Sequence, residues 1–348
     1  MEDSTRVDRR SFITGTLAGI ACPARVLAGS GVVVDAAGRD VPIPSKVERI
    51  FPAGPPAAIL LYTLAPQLLL GWPRANGVAE RAFLLPEVGA RPELGRLTGR
   101  GNTANLELVL QLKPDLILDV GTTTATYVSL ADRVQSQTGI PYALLNGRLD
   151  AAARTYQLLG RLIHHETAAG ELAGHAERTL DTMRRRLQSV PPDAHPRVYY
   201  ARGPRGLETA LAGSINIEAI ETMGARNVAG AQSGGLATVS LEQVLAWDPE
   251  VIVAIDRNFA RNVLTDPDWA SVAAIRNGRV HLSPKLPFGW VDFPPSVNRL
   301  IGLWWLGKIL YPDLFPEDLR PLARDFYARF YHVGVTDEQL SHLLAGGG

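Results

Sequence analysis

The sequence contains one helix-to-strand unit twice, in opposite halves of the chain. The first copy, residues 105–121, reads NLELVLQLKPDLILDVG, and the second, residues 240–256, reads SLEQVLAWDPEVIVAID. In each copy an amphipathic helix that opens with Leu-Glu is followed by a Pro-acidic turn and an apolar, β-branched run. Such a run is typical of a strand buried on both faces of a parallel sheet. Internal repetition of this kind favours a doubled architecture over one continuous sheet.

Strands and helices alternate through the rest of both halves. We predict a hairpin over residues 31–43, a helix over 57–65, a helix after Ser214 that this residue caps, and strands at 49–52, 116–120, 142–145, 197–201, 251–255 and 280–282. Between the halves, residues 151–190 are almost continuously helical in pattern and form a rigid connector in this interpretation. The predicted fold class is therefore α/β, with two lobes whose sheets are mostly parallel.

Length, charge and cysteine content exclude several kinds of protein. A chain of 348 residues is long enough for two domains with separate cores. Basic and acidic residues both number 35, so no global field attracts nucleic acid or an anionic membrane. The 7 histidines show no metal-binding spacing, and the single cysteine, Cys22, rules out an internal disulfide and a cysteine-based metal centre. We predict no nucleic-acid partner, no metal site and no cofactor.

The first 28 residues are similar to a twin-arginine export signal. Arg9 and Arg10 precede Phe12 and an apolar stretch that is too short to span a bilayer, and small residues end the segment near Ala28. We therefore predict that residues 1–28 are a signal peptide and that the protein is exported to the periplasm or cell envelope. Lipid anchoring through Cys22 is the alternative, although the flanking Gly19 and Pro23 fit a lipidation motif poorly.

Several segments in a fixed order resemble one known family. They are the leader, VVVDAAGRDVPIPSKVERIF at residues 32–51, the two copies of the repeat, GSINIEAIETMGARNVAG at 213–230 and NGRVHLSP at 277–284. Together they resemble the periplasmic solute-binding proteins of ABC importers for iron complexes, haem, cobalamin and molybdate, over essentially the whole mature chain.

The resemblance implies an architecture and a mode of action. The lobes, residues 29–150 and 193–348, would be Rossmann-like, and the helical region 151–192 would include one long connector helix. The ligand would lie in the cleft between the lobes, with little hinge motion. A protein of this kind binds and delivers a solute as a monomer, and it is not an enzyme.

The resemblance also assigns a role to the repeated Leu-Glu position. In this family an acidic residue there, on each lobe, docks on arginines of the membrane permease, which implies Glu107 and Glu242. One carboxylate on each lobe gives a two-point electrostatic contact that fixes orientation and speeds encounter. The alternative is that each glutamate only complements the N-terminus of its own helix.

Candidate ligand-binding residues follow from the position of the loops. In open α/β lobes, ligands lie beyond the carboxyl ends of the strands. Arginines in such loops, Arg100, Arg202 and Arg205, would pair with an anionic ligand. Thr122 and Thr123 would add hydroxyl and backbone donors at a helix start. For each arginine the alternative is a solvated position on a surface loop.

Aromatic residues near the same loops are further candidates. Tyr127 lies in the helix that follows the threonine loop, and Phe288 and Trp290 would form a flat wall for a macrocycle or a catechol. Trp290 has an alternative position in the core of the second lobe. Tyr62 is similar in kind to the haem-ligating tyrosine of some relatives, but it falls within an apolar helix and is expected in the core.

These observations support one leading function and two alternatives. The leading hypothesis is an exported protein that captures an iron complex of the ferric-chelate type, a small anionic metal-containing ligand, and delivers it to an ABC permease. An alternative of the same class binds a bare oxyanion such as molybdate or tungstate. An alternative of another class is an exported two-lobed enzyme, but the sequence contains no GxSxG, GxGxxG or Walker motif.

Overall fold

The computed structural model describes residues 31–99 and 103–346. The leader predicted at residues 1–28, with Cys22, lies outside the described residues, as does the candidate ligand residue Arg100. No helix within the described ranges is long and apolar enough to cross a membrane.

The described residues form eleven strands and fourteen α-helices. The strands are β1 Gly31–Val34, β2 Asp40–Ile43, β3 Ile50–Pro52, β4 Leu116–Gly121, β5 Tyr142–Asn146, β6 Arg197–Ala201, β7 Glu208–Ala210, β8 Arg226–Asn227, β9 Leu236–Thr238, β10 Val251–Ala254 and β11 Val280–Leu282. The helices are α1 Pro55–Leu64, α2 Val78–Arg81, α3 Pro86–Gly89, α4 Leu106–Leu112, α5 Ala125–Thr138, α6 Ala152–Ile163, α7 Glu166–Leu187, α8 Glu218–Thr222, α9 Leu241–Trp247, α10 Arg257–Asn262, α11 Ala273–Arg276, α12 Arg299–Leu310, α13 Leu319–Phe326 and α14 Asp337–Leu344.

Each lobe is built on a parallel sheet. The first lobe has strand order β3-β4-β5, and the second has β11-β10-β6-β8. The central strands β4 and β10 are buried along almost their whole length, as their apolar runs predict. The predicted fold class, two α/β lobes with mostly parallel sheets, is confirmed.

Two antiparallel ribbons accompany the sheets. The predicted hairpin is β1–β2, and its turn forms because Asp35 accepts hydrogen bonds from the amides of Ala37 and Arg39. The ribbon β7–β9 in the second lobe is not predicted, since strands of three residues carry no clear periodicity. The helix predicted after Ser214 begins only at Glu218, and Ser214 does not cap it.

The repeated unit has the same local structure in both lobes. Helices α4 and α9 both contain 7 residues and begin after a capping residue, Asn105 or Ser240, whose side chain accepts a backbone N–H of the first turn. Each helix then ends at a residue in the left-handed conformation, with φ 48° at Lys113 and φ 40° at Asp248. The sequence repeat therefore encodes a repeated structure down to the caps.

The acidic residue after the proline of each copy also has a repeated role. Asp115 accepts the backbone N–H groups of Glu48 and Arg49, and Glu250 accepts that of Arg197. The side chains of Arg49 and Arg197 in turn donate to carbonyl groups at the C-terminal ends of α4 and α9. Each unit is thus joined to the strand that precedes it in the sheet.

The connector differs from the prediction of one nearly continuous helix over residues 151–190. The chain breaks at His164, which has φ 58°, and α6 and α7 pack against each other on either side of the break. The long helix is α7, whose 22 residues span about 33 Å. Periodicity alone misses the break because the sequence there contains no proline, and the turn depends on contact between the two helices.

Gly160 makes that contact possible, which leads to a prediction. A Cβ atom at Gly160 would lie 2.5 Å from the Cβ atom of Ala169, so Gly160→Ala should force α6 and α7 apart and destabilise the protein by about 1–3 kcal/mol. Gly170 on α7 has no atom within 4 Å of such a Cβ, and Gly170→Ala should stabilise by about 0.5–1 kcal/mol. Urea denaturation of the two variants measures both changes. Equal effects would contradict the close packing at Gly160.

Candidate ligand-binding site

A cleft of about 510 Å³ lies between the two lobes. Its lining comes from the loops that follow β3, β4 and β5 in the first lobe and β6 in the second, together with later loops of the second lobe. The lining residues are Pro55, Pro56, Arg96, Thr98, Gly99, Asp119, Val120, Gly121, Thr122, Tyr127 and Gly147 from the first lobe, and Arg202, Ile215, Asn216, Leu236, Asp292, Phe293, Pro294 and Pro295 from the second. The cleft is therefore at the carboxyl ends of parallel strands, where ligands of such lobes bind.

A buried carboxyl group, that of Asp119, lies in the wall formed by the first lobe. Asp119 is the one charged residue of β4, and it accepts hydrogen bonds from the Thr98 hydroxyl at 3.0 Å and the Tyr142 hydroxyl at 3.2 Å. Burial raises the pKa of the Asp119 carboxyl, and the two hydrogen bonds offset part of that rise. The Thr98 hydroxyl donates a hydrogen bond to Asp119, so Asp119 holds Thr98 in place in the cleft wall.

The threonine loop lies partly in the cleft. Two of the candidates, Thr122 and Tyr127, line it, and the Thr122 side chain is exposed to solvent. Thr123 is on the same loop, half-buried, and is not among the lining residues. Of the three candidates Thr122, Thr123 and Tyr127, the structure therefore brings two to the cleft.

Arg202 lines the cleft wall formed by the second lobe, but its charge is neutralised by protein groups. Its guanidinium forms ion pairs with Glu208 at 2.7 Å and with Asp292, whose side chain is fully buried. Asp292 also accepts hydrogen bonds from the Tyr200 hydroxyl at 2.6 Å and from the Asn216 amide at 2.9 Å. Because buried ion pairs need such complete partnering, the main role of Arg202 in this structure is to compensate Asp292.

Three other candidates are not brought to the cleft. Arg205 is exposed on the turn after β6 and is not among the lining residues. Trp290 is completely buried and donates its indole N–H to the Tyr327 hydroxyl. Phe288 is also buried and packs on Trp72 at 5.7 Å between ring centroids. The predicted aromatic wall is therefore corrected to core packing, because these large rings bury apolar area against the C-terminal helices.

Phe293 is the aromatic residue that the same loop places in the cleft. Its side chain is 54% exposed, and its backbone has φ 72°, a conformation that a bulky residue rarely adopts. The Arg202 guanidinium and the Lys285 ammonium each lie 5.8 Å from the ring centroid. An exposed aromatic side chain on a strained backbone, at the wall of a cleft, favours ligand contact at this position.

Some lining residues could have been found from sequence, and others could not. An aspartate inside the otherwise apolar strand LILDVG, as Asp119 is, signals a buried acid that needs partners. Asp292 and Phe293 lie two and three residues after the predicted Trp290, but nothing local shows which residues of that loop face inward. Arg96 carries no sequence signal of its own.

The two glutamates predicted to dock on the permease are both exposed. Glu107 is in the first turn of α4 and Glu242 in the first turn of α9, so they occupy equivalent positions on the two lobes. Hydrogen bonds with Ser240 and with its own backbone amide lower the pKa of the Glu242 carboxyl. Leu110, one turn after Glu107, is 48% exposed.

The site offers binding groups without a metal centre. No group of three or more His, Cys, Asp and Glu side chains within residues 31–99 and 103–346 is arranged to hold a metal ion. The titratable lining residues are two arginines, Arg96 and Arg202, two aspartates, Asp119 and Asp292, and Tyr127. Such a cleft can hold a solute through hydrogen bonds, with walls of proline and aliphatic side chains.

The chain is similar in sequence and fold to several known proteins. The molybdate-binding protein MolA of Haemophilus influenzae is 28% identical over 273 residues, which cover 71% of this chain and 76% of that protein. The solved structure of MolA bound to molybdate has a TM-score of 0.73 at 26% identity and covers 88% of this chain and 99% of its own. An ABC transporter solute binding protein from Sulfurospirillum deleyianum has a TM-score of 0.83 at 29% identity, covering 90% of this chain and 99% of its own.

The family profile described as periplasmic binding protein matches residues 76–286, which is more than half of the chain. The match includes both copies of the repeat and extends from the first lobe, through the connector, into the second. The resemblance predicted from the sequence is thereby confirmed. This chain belongs to the periplasmic binding protein family.

Proposed function

We propose that this protein is the solute receptor of an ABC importer, exported by its leader, and that it carries its solute in the cleft between the lobes. The observation that carries this proposal is the cleft itself, since strand-end loops of both lobes converge on one solvent-accessible space. Glu107 and Glu242 are proposed as the contacts with the permease, one on each lobe.

Binding is favoured over catalysis by the groups in the cleft. The described lining residues include no serine, cysteine or histidine, so they supply no Ser-His or Cys-His pair for nucleophilic catalysis. The hydroxyl of Thr98 donates its hydrogen bond to the buried Asp119 carboxyl group, and no histidine stands beside it among the described lining residues. An enzyme of the hydrolytic type would need such a pair within hydrogen-bond reach.

The cargo we propose is an oxyanion of the molybdate type. The chelate hypothesis relied on an aromatic wall of Phe288 and Trp290, and both residues lie in the core. The exposed Thr122 hydroxyl lines the cleft and can donate a hydrogen bond to an anion, and Gly99 and Gly121 let the backbone approach a small ligand. The similarity to the molybdate-binding protein MolA supports the same class of cargo.

A ferric chelate is the second candidate, and the size of the cleft favours it. Pockets of about 300–1,000 Å³ are those that bury ligands of drug size, and about 510 Å³ is more room than one tetrahedral oxyanion needs. Tyr127 and Phe293 provide aromatic surface for an organic ligand. In addition, the charges of Asp119 and Asp292 oppose those of the two lining arginines, which suits a ligand of low net charge.

Calorimetric titration of the whole protein tests the two cargoes. We expect saturable binding of sodium molybdate and sodium tungstate, weaker binding of sulfate, and none of ferric siderophores, haem or cobalamin. Thr122→Val should weaken molybdate binding about tenfold by removing one hydrogen bond to an anion. Thr124→Val is the matched control, because Thr124 is exposed on the same loop, outside the cleft lining, and its side chain caps no helix.

The outcomes of this titration are distinct. Binding of a ferric complex, with no response to either oxyanion, would reject the oxyanion and establish the chelate. Silence toward all of these ligands would count against the cleft as a site for metal-containing anions. Turnover of any offered ligand would return the protein to the class of enzymes.

A further inference from the structure

A buried arginine, Arg299, joins the two lobes beneath the cleft. It is the first residue of α12 in the second lobe, and it is 2% exposed. Its guanidinium donates to the carbonyl oxygen of Gly147, in the first lobe, at 2.5 Å and to that of Ile215, in the second, at 3.4 Å. One planar, multidentate side chain therefore bonds to the backbone of both lobes.

Glu218 completes the connection from the other side. It lies at the start of α8 in the second lobe, is 5% exposed, and pairs with Arg299 at 2.7 Å. The same carboxylate oxygen accepts the backbone N–H of Leu149, in the first lobe, at 2.9 Å, and the other oxygen pairs with Arg148 at 3.0 Å. We call Glu218, Arg299 and the backbone of residues 147–149 the interlobe clamp.

The clamp holds parts of the cleft itself. Gly147 and Ile215, whose carbonyl groups accept from Arg299, both line the cleft, one from each lobe. A Cβ atom at Gly147 would lie 2.8 Å from the Cα atom of Gly121 and 3.3 Å from Ile215 Cδ1, so the lobes approach each other closely here. The clamp therefore bonds atoms of both cleft walls at a point where the lobes are in contact.

We propose that the interlobe clamp sets the spacing of the cleft walls, and that Glu218 and Arg299 act as positioning residues for solute binding without touching the solute. The second part rests on the proposed function. A buried ion pair contributes little to stability compared with well-packed apolar residues, but it demands one geometry. Directional bonds from one guanidinium to two lobes are suited to holding a preorganised site.

The test uses variants of the full chain in a Cys22→Ser background, with spin labels on cysteines introduced at the exposed helix positions Gln137 and Asn262. Arg299→Met removes the donors, and the double variant Glu218→Gln with Arg299→Met also removes the buried charge that could prevent folding. The matched control is Arg186→Met with Glu317→Gln. Like Arg299, Arg186 pairs with a carboxylate, and it also donates to a backbone carbonyl, that of Leu314, away from the cleft.

The expected result is a broadened label-to-label distance distribution and faster amide exchange at Leu149 in the clamp variants, without bound ligand. The dissociation constant for sodium molybdate should rise about tenfold or more because the walls are no longer held in register. The control variant, Arg186→Met with Glu317→Gln, should show the same label-to-label distances and the same molybdate affinity as the parent protein.

A distance distribution in the double variant as narrow as that of the parent protein would reject the proposal that the clamp sets the spacing of the cleft walls. A broadened distribution with unchanged molybdate affinity would overturn its positioning role. If the parent protein does not bind molybdate, only the proposed cargo is rejected. The label-to-label distances and the amide exchange at Leu149 still show whether the clamp holds the lobes together.

Discussion

Replacing Glu107 and Glu242 together by alanine should abolish solute uptake while the affinity of the free protein for its solute stays unchanged. Both carboxylates are exposed in the first turns of equivalent helices, α4 and α9, and neither lines the cleft. A two-point contact with a cationic permease loses its orientation and its electrostatic attraction when both charges are removed. Uptake into vesicles that contain the permease, together with calorimetry on the free protein, measures the two quantities.

The matched control removes the same charge elsewhere on the surface. Glu166 and Glu338 are exposed in the first turns of α7 and α14, so Glu166→Ala with Glu338→Ala should leave uptake unchanged. Each single variant, Glu107→Ala or Glu242→Ala, should support partial uptake. Added salt screens the same charges, so it should lower the uptake supported by the parent protein. Normal uptake by the double variant, or loss of solute binding in it, would refute the docking role.

Arg202→Met should destabilise the protein by about 3–5 kcal/mol, since it leaves the buried Asp292 without its ion-pair partner. Burial raises the pKa of the neighbouring Tyr200 hydroxyl, which keeps it protonated, so it can donate one hydrogen bond but cannot replace a cation. The free energy of unfolding in urea, measured without ligand, gives the magnitude. Adding Asp292→Asn to Arg202→Met should recover part of the loss.

Arg205 provides the control for this prediction. It lies three residues further on the same turn and is exposed, so Arg205→Met should change stability by no more than about 0.5 kcal/mol. If Arg202 were primarily a ligand residue, Arg202→Met would leave unfolding nearly unchanged and would reduce only solute affinity. That result would contradict the assignment of Arg202 to the compensation of Asp292.

The architecture could be predicted from sequence because its signals are local. The apolar runs of β4 and β10 and the predicted hairpin over residues 31–43 each depend on residues within a few positions of one another. These signals also gave the number of lobes, through the repeat. The break at His164 escaped prediction because it depends on α6 folding back onto α7, which is a tertiary contact.

The residues that line the cleft were predicted less well because loops carry no periodicity. Strand ends predicted the edge of both sheets at which the cleft lies, and Thr122, Tyr127 and Arg202 line the cleft there. In the loop after Ser283, however, the side chains of Trp290 and Phe293 have opposite environments, one fully buried and the other 54% exposed. Packing against distant helices decides between them, and no local pattern reports it.

The sequence by itself therefore determined a duplicated α/β protein with one exposed glutamate at the same helix position of each lobe. Only the tertiary structure decided which charges meet. Arg202 pairs with Asp292 across 90 residues of chain, and Arg299 reaches Gly147 across 152. The physical reason is that a buried charge must be paired with a group within hydrogen-bond distance. Which group lies that close depends on how the two lobes assemble.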